Sequence, residues 1–257
     1  MPAPRTLTLA ALLVASATLA PPAAAFVLYE TDAGQPLHWP SKVAPALTLD
    51  PSFPGDADPT TVSTIVARAA ARWTSLPCMP PTVALAGYAA CGGEDPDDGT
   101  NCLFRVSDPQ RWEHGVNQVA LTLVHFDNRR GAIVDVDMVL NAAWFGFATE
   151  ADCQPSDADL DAVLTHELGH FFGLDHSTVP EATMAPTSGP GDCQKRDLAP
   201  DDIAGFCAIY GVRRDEGGGG CGAGGPTAPW TLPAALAILL ARAAWRRRRS
   251  PAPTRPR

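Results

Sequence analysis

The sequence predicts an α+β fold, and three observations predict it. In two neighbouring segments, Val119–Phe126 and Ile133–Leu140, residues fall into two interleaved sets, at least one of them mainly apolar. A helix-spaced apolar stripe precedes them, and two more follow. Strands grouped mid-chain with helices before and after suggest a sheet packed against helices, not a repeating βαβ order. The chain has 257 residues, 46% of them hydrophobic, enough for one substantial core and ordinary for a folded domain. The 26 prolines and 22 glycines gather at the ends and in loops.

Residues 1–25 read as a secretory signal. Arg5 is the basic start, Leu7 to Leu19 is an uncharged apolar run too short for a comfortable membrane span, and Ala23-Ala24-Ala25 is a small-residue cleavage site. From Phe26 to about Pro54, Pro36, Pro40, Pro45 and Pro51 forbid a long helix, leaving Val43 to Leu49 as a candidate strand. The first helix is expected over Pro59 to Leu76, with Val62, Ile65, Val66, Ala69 and Trp73 on one face and Pro77 ending it. Residues 82–112 read as loop-rich. The alternating pair then predicts an antiparallel hairpin about Asn128-Arg129-Arg130-Gly131, with one buried face carrying Val134, Val136, Met138 and Leu140. A second helix should begin near Ser156, three residues before Asp159. A third should begin at Pro200, with Asp201 and Asp202 complementing its dipole, and end around Tyr210-Gly211.

Beyond Arg214 the composition changes. Residues 214–225 are a glycine-rich linker around Cys221, and 226–257 join the apolar run Thr231 to Ala241 to the arginine block Arg246 to Arg249. The organisation expected is a signal (1–25), one domain (26–213), the linker (214–225) and a terminal segment (226–257). The apolar run Thr231 to Ala241 is about half a spanning length, so a processed sorting signal is preferred to a permanent anchor. Either one ties the exported chain to an envelope surface, transiently or permanently. Export also favours disulfides among Cys78, Cys91, Cys102, Cys153, Cys193 and Cys207, with Cys193–Cys207 the favoured pair. Once Arg5 and the seven arginines after residue 225 are set aside, the body holds 11 basic against 28 acidic residues, a net of −17. Such a surface repels nucleic acid and anionic lipid, although acidity of this kind also serves solubility alone.

The chemistry is concentrated in His166-Glu167-Leu168-Gly169-His170-Phe171-Phe172-Gly173-Leu174-Asp175-His176. Histidines four apart share a helical face and can present two imidazoles to one ion. Gly173 can end the helix in a left-handed conformation, so that His176 returns as a third ligand. Three neutral imidazoles with one open position suit catalytic zinc. Glu167, beside the first ligand, is placed to take a proton from a water molecule.

This stretch resembles the HExxHxxGxxH signature of the metzincin metallopeptidases, and Met184 in Thr183-Met184-Ala185-Pro186 resembles their methionine turn. Ser177 after the third histidine, the M-x-P sequence, and Leu198, Asp201, Asp202, Ile203, Gly205, Phe206, Tyr210 and Gly211 resemble the matrixin branch. The resemblance implies a twisted mixed sheet, an active-site helix beneath it and a small part after Gly173. It also implies a monomeric zinc endopeptidase acting on proteins or peptides. Departures are visible. No propeptide is expected between the signal and the domain, no PRCGxPD-like cysteine switch is read there, and Ala185 replaces the aromatic often found after the methionine. The animal structural zinc and calcium sites do not carry over, since His125, Asp127, Asp135 and Asp137 are too few and differently spaced. Asp95, Asp97, Asp98 and Asn101 suggest calcium but lack a closing glutamate. His38, His114 and His125 read as ordinary histidines. The rival readings are a zinc amidase on cell-wall peptides and a silent surface-binding module, against which retention of Glu167 argues. The tail resembles Gly-Cys sorting signals of myxobacteria, with Cys221 before the apolar run.

Overall fold

A computed structural model describes residues 25–95, 98–150, 154–187 and 189–211. Residues 1–24 of the expected signal, the linker, the terminal segment, Cys153, Cys221 and Asp97 lie outside the described residues. In order come β1 (Ala46–Leu49), α1 (Pro59–Thr74), β2 (Ala84–Tyr88), β3 (Asn101–Val106), β4 (Ala120–Asp127), β5 (Ala132–Asn141), β6 (Phe147–Ala148), β7 (Ala158–Asp159), α2 (Leu160–Phe171), a short 3₁₀ turn at Cys193–Arg196, and α3 (Pro200–Tyr210). The main sheet runs β2-β1-β3-β5-β4. Its pairs are parallel except β4–β5. The fold is α+β, as expected, with a mixed five-stranded sheet backed by helices.

Helix α1 starts where Asp58 caps it, its carboxylate accepting from Thr61 N at 2.8 Å, with Pro59 at the first helical position. Its stripe of Val62, Ile65, Val66, Ala69 and Trp73 is buried against Leu164, Leu168 and Phe171 of α2 and against Leu47, Leu49, Leu103, Val136, Met138 and Leu140 of the sheet. Trp73 donates its indole N–H to Thr165 O at 2.9 Å, satisfying the one polar atom of a fully buried ring. Arg72 and Arg68 reach across to the buried carboxylate of Asp161, fixing α1 and α2 side by side.

Several expectations are corrected. The stretch 82–112 contains two strands, and β3 lies at the centre of the sheet. Its six residues are preceded by Asp and Gly, which mask the pattern, and alternate strand faces are both buried: Leu103 in the main core, Cys102 and Phe104 in a second cluster with Trp112 and Val139. The hairpin is present, but it buries both faces of β5. A bulge leaves Val134 unpaired, because His125 pairs with Asp135 while Phe126 pairs with Ile133. Ile133, not Val134, therefore joins the core (2% against 62% exposed), and Asp135 and Asp137 are buried beneath the outer cluster instead of facing water. Helix α2 begins at Leu160, not near Ser156. Asp159 is its cap, accepting from Ala162 N at 2.8 Å, while Ala158–Asp159 are held extended by β6.

The favoured disulfide is also corrected. Cys207 of α3 pairs with Cys78 just after α1, their Cα atoms 5.2 Å apart, and Cys91 pairs with Cys102. Cys193 is disulfide-bonded too. The Cys78–Cys207 link joins segments 129 residues apart, a far longer closure than the loop expected from proximity in sequence. Among the described residues no helix is long and apolar enough to cross a membrane.

Candidate metal centre

Helix α2 carries His166 and His170 one turn apart. Each donates its Nδ1–H to a backbone carbonyl, His166 to Thr183 O at 2.7 Å and His170 to Leu174 O at 2.8 Å. A carbonyl only accepts, so these bonds fix the tautomer and leave both Nε2 atoms as lone-pair donors, 3.1 Å apart. Gly173 has φ +99°, and a side chain there would collide with the carbonyl oxygen of Leu37. That turn sends the chain back, and the exposed His176 ring arrives 4.8 Å from that of His170 and 5.3 Å from that of His166. One ligand atom from each of the three lies within 4.8 Å of the others. Burial first, then for His170 and His176 the neighbouring His166, lowers their pKa values and keeps the imidazoles neutral. Three converging neutral imidazoles with oriented Nε2 lone pairs fit a zinc ion.

Glu167, one residue past His166 on α2, is 6% exposed and lies where the edge strand β4 passes. Thr122 of β4 donates its hydroxyl to Glu167 Oε2. Burial pushes the Glu167 carboxyl up to about 7, with the Thr122 hydrogen bond and His176 pulling the other way. Met184, 1% exposed, lies against α2 where Gly169 leaves room: a Cβ on Gly169 would run into its sulfur. Its turn is held by Asp202 of α3, whose carboxylate accepts from Thr183 N at 2.8 Å and Met184 N at 3.0 Å and also from Ala199 N at 2.8 Å. Ser177 donates to the adjacent Asp201. The two aspartates expected to complement the helix dipole thus also tie the return segment after His176 to α3.

Residues 93–211 match the family model described as matrixin. The domain is matrixin-like. Similar proteins include metalloendoproteinase 5-MMP of Arabidopsis thaliana, 47% identical over 62 residues, covering 24% of this chain and 17% of that protein. Human (Homo sapiens) matrilysin is 53% identical over 52 residues, 20% of each chain. Macrophage metalloelastase of Oryctolagus cuniculus is 49% identical over 53 residues, 21% of this chain and 11% of that one. The chain spans about a fifth of the length of the first two relatives. These likenesses support a zinc metalloendopeptidase.

Other residues of the matrixin-like domain fall out differently from expectation. His38 is half-buried and donates to Pro36 O at 3.1 Å, and His114 pairs with Glu94 at 2.8 Å, both ordinary roles. His125 is not ordinary: its Nε2 is buried without a hydrogen-bond partner beside Asp135 and Asp137. The side chain of Asn101 is engaged by Ala46 O and Val136 N. Thr122 and Asp202 were missed as site residues. Nothing in a lone strand threonine signals its partner 45 residues away, but the register of β4 against α2 creates it. Tyr29 was missed as well. The segment before β1 crosses the helix end, with Tyr29 N donating to Gly173 O at 3.0 Å and its ring centroid 5.5 Å from that of His170.

Proposed function

We propose that this chain is an exported zinc endopeptidase that hydrolyses internal peptide bonds of extracellular or envelope proteins. The observation that carries the reading is the convergence of His166, His170 and His176 beside a buried glutamate that binds none of them. His166 and His170 are held in one tautomer by Thr183 O and Leu174 O, so both present Nε2 without rearrangement. Zinc held there would polarise a peptide carbonyl and bring the pKa of water toward about 7.

Glu167 is the general base. Raised to about 7, its carboxylate can take a proton from water near neutrality and return it to the leaving amine nitrogen, the two transfers needing a pKa near the working pH. Thr122 fixes the carboxylate rotamer by occupying Oε2, so proton transfer runs through the other oxygen. Strand β4 is the sheet edge beside Glu167, so an extended peptide can add there by backbone hydrogen bonds and lie across the histidines. Met184 supports the triad from below. The segment around Cys221 and the tail to Arg257 serve surface sorting or anchoring. Cleavage of a casein-like substrate, absent in Glu167→Gln and unmatched by any release from peptidoglycan, tests the reading against a cell-wall amidase. Peptidoglycan release without protein cleavage would overturn it.

A further inference from the structure

The 3₁₀ turn that follows the Met184 segment carries two consecutive bases with different fates. Arg196 is committed to the Asp159 carboxylate at the start of α2. Lys195 is 6% exposed, yet among the described residues its ammonium has no carboxylate within ion-pair distance. Its one hydrogen bond goes to the carbonyl of Thr187, at 2.8 Å. An ammonium offers three donors, so two of them have no acceptor among the described residues.

This ammonium belongs to the surroundings of the metal centre. Thr183 links the two: its hydroxyl donates to Lys195 O at 3.1 Å, and its carbonyl accepts from His166 Nδ1 at 2.7 Å. Thr187, which holds Nζ, lies on the chain leaving the same turn, three residues beyond Met184. The positive charge of Lys195 acts on the buried His166 ring and, after burial itself, favours its neutral form. Asp202 acts on that ring with the opposite sign, but its carboxylate is spent on Thr183 N, Met184 N and Ala199 N. A dehydrated cation with idle donors is costly to keep. A glutamine amide could make the same bond to Thr187 O without burying a charge, so stapling the loop does not account for a lysine here.

We propose that Lys195 selects the substrate by pairing with a side-chain carboxylate, Asp or Glu, on a residue flanking the scissile bond. The inference rests on the endopeptidase reading and narrows its substrate class to proteins cut beside acidic residues. A peptide laid across the histidines has its scissile carbonyl at the triad, so the side chains nearest Lys195 are those beside that carbonyl. A carboxylate can accept from both idle donors, and charge-assisted bonds of this kind are strong where water is excluded. The domain is otherwise acidic, so no diffuse attraction draws such a side chain in, and selection falls to this one ammonium. A neutral residue in the same place leaves the cation unpaired, which is the source of the discrimination.

The test profiles the full chain, loaded with zinc, on peptides varied at the two residues flanking the cleaved bond. Asp or Glu should be preferred at one of them, with kcat/KM for Glu above that for Gln by about 10–100-fold. Lys195→Met should bring that ratio to about one, Lys195→Arg should keep most of it, and Lys195→Glu should turn the preference toward Lys and Arg. If Lys195→Glu fails to fold, the Met and Arg variants decide. Binding is read apart from turnover by calorimetry on Glu167→Gln with the same peptides. The Glu peptide should bind more tightly than the Gln peptide, and adding Lys195→Met should erase the difference. An equal loss of rate on every peptide in Lys195→Met, with the ratio unchanged, would reduce Lys195 to a staple of its loop and overturn the assignment. A wild-type preference for apolar or basic residues at both positions would overturn it too. Glu-over-Gln binding that depends on Lys195 in a chain that cleaves no peptide would uphold carboxylate recognition and sink only the endopeptidase reading.

Discussion

His166, His170 and His176 come from eleven consecutive residues, whereas His125, Asp135 and Asp137 come from two strands brought together by a ladder. In the first group the helix turn and Gly173 do the positioning locally, and both helical histidines spend Nδ1 on carbonyls. In the second the polar atoms are buried with almost nothing spent. The difference teaches how each kind of site is written. A site on one helix is visible as spacing, and a site across a sheet is visible only once register is known.

The largest expected effect separates the two groups outright. His170→Ala should abolish proteolysis and remove the metal held by the triad, whereas His125→Gln should leave both unchanged, measured by turnover and metal analysis side by side. Loss of either in His125→Gln would mean that the groups are not independent. A tenfold effect is expected where the groups' elements meet. Thr122, on the same strand as His125, orients Glu167, so Thr122→Val should lower turnover about tenfold, the scale of one hydrogen bond to a charged group, with metal content unchanged and Thr122→Ser restoring most of it.

The next effect falls on stability. Asp202 accepts three backbone N–H groups under the triad, and Asp202→Ala leaves them unpaired. Chemical denaturation should show a loss of about 2–4 kcal/mol. The smallest concerns Asp161, which holds α1 against α2. Burial alone would raise its pKa, but Arg72 and Arg68 hold it below the ordinary value. A depressed carboxyl contributes stability that is present above its unfolded pKa of about 3.9 and is lost as pH falls through the folded value. Asp161→Asn should flatten that acid limb in pH-dependent urea melts.

Much of this was legible in advance. The stripe of α1, the hairpin, α3 and the convergence of three histidines follow from periodicity and from one glycine. What was not legible has physical reasons. β2 and β3 are short and set among Gly, Pro and Asp, and their status comes from neighbours that pair with them, not from their own pattern. The bulge at Val134 swaps which residue faces the core, a change that strict alternation cannot show. The partners of Cys207, Thr122 and Asp202 are set by packing between distant segments.

The central claim is that Glu167 moves the proton while the histidines alone hold the metal. It is tested most directly by purifying Glu167→Gln beside wild type and measuring metal content and cleavage of a casein-like substrate on the same samples. The account predicts unchanged metal per chain and turnover reduced by about 10²–10⁴-fold. Wild-type cleavage by Glu167→Gln, or loss of a metal equivalent from it, would contradict the account.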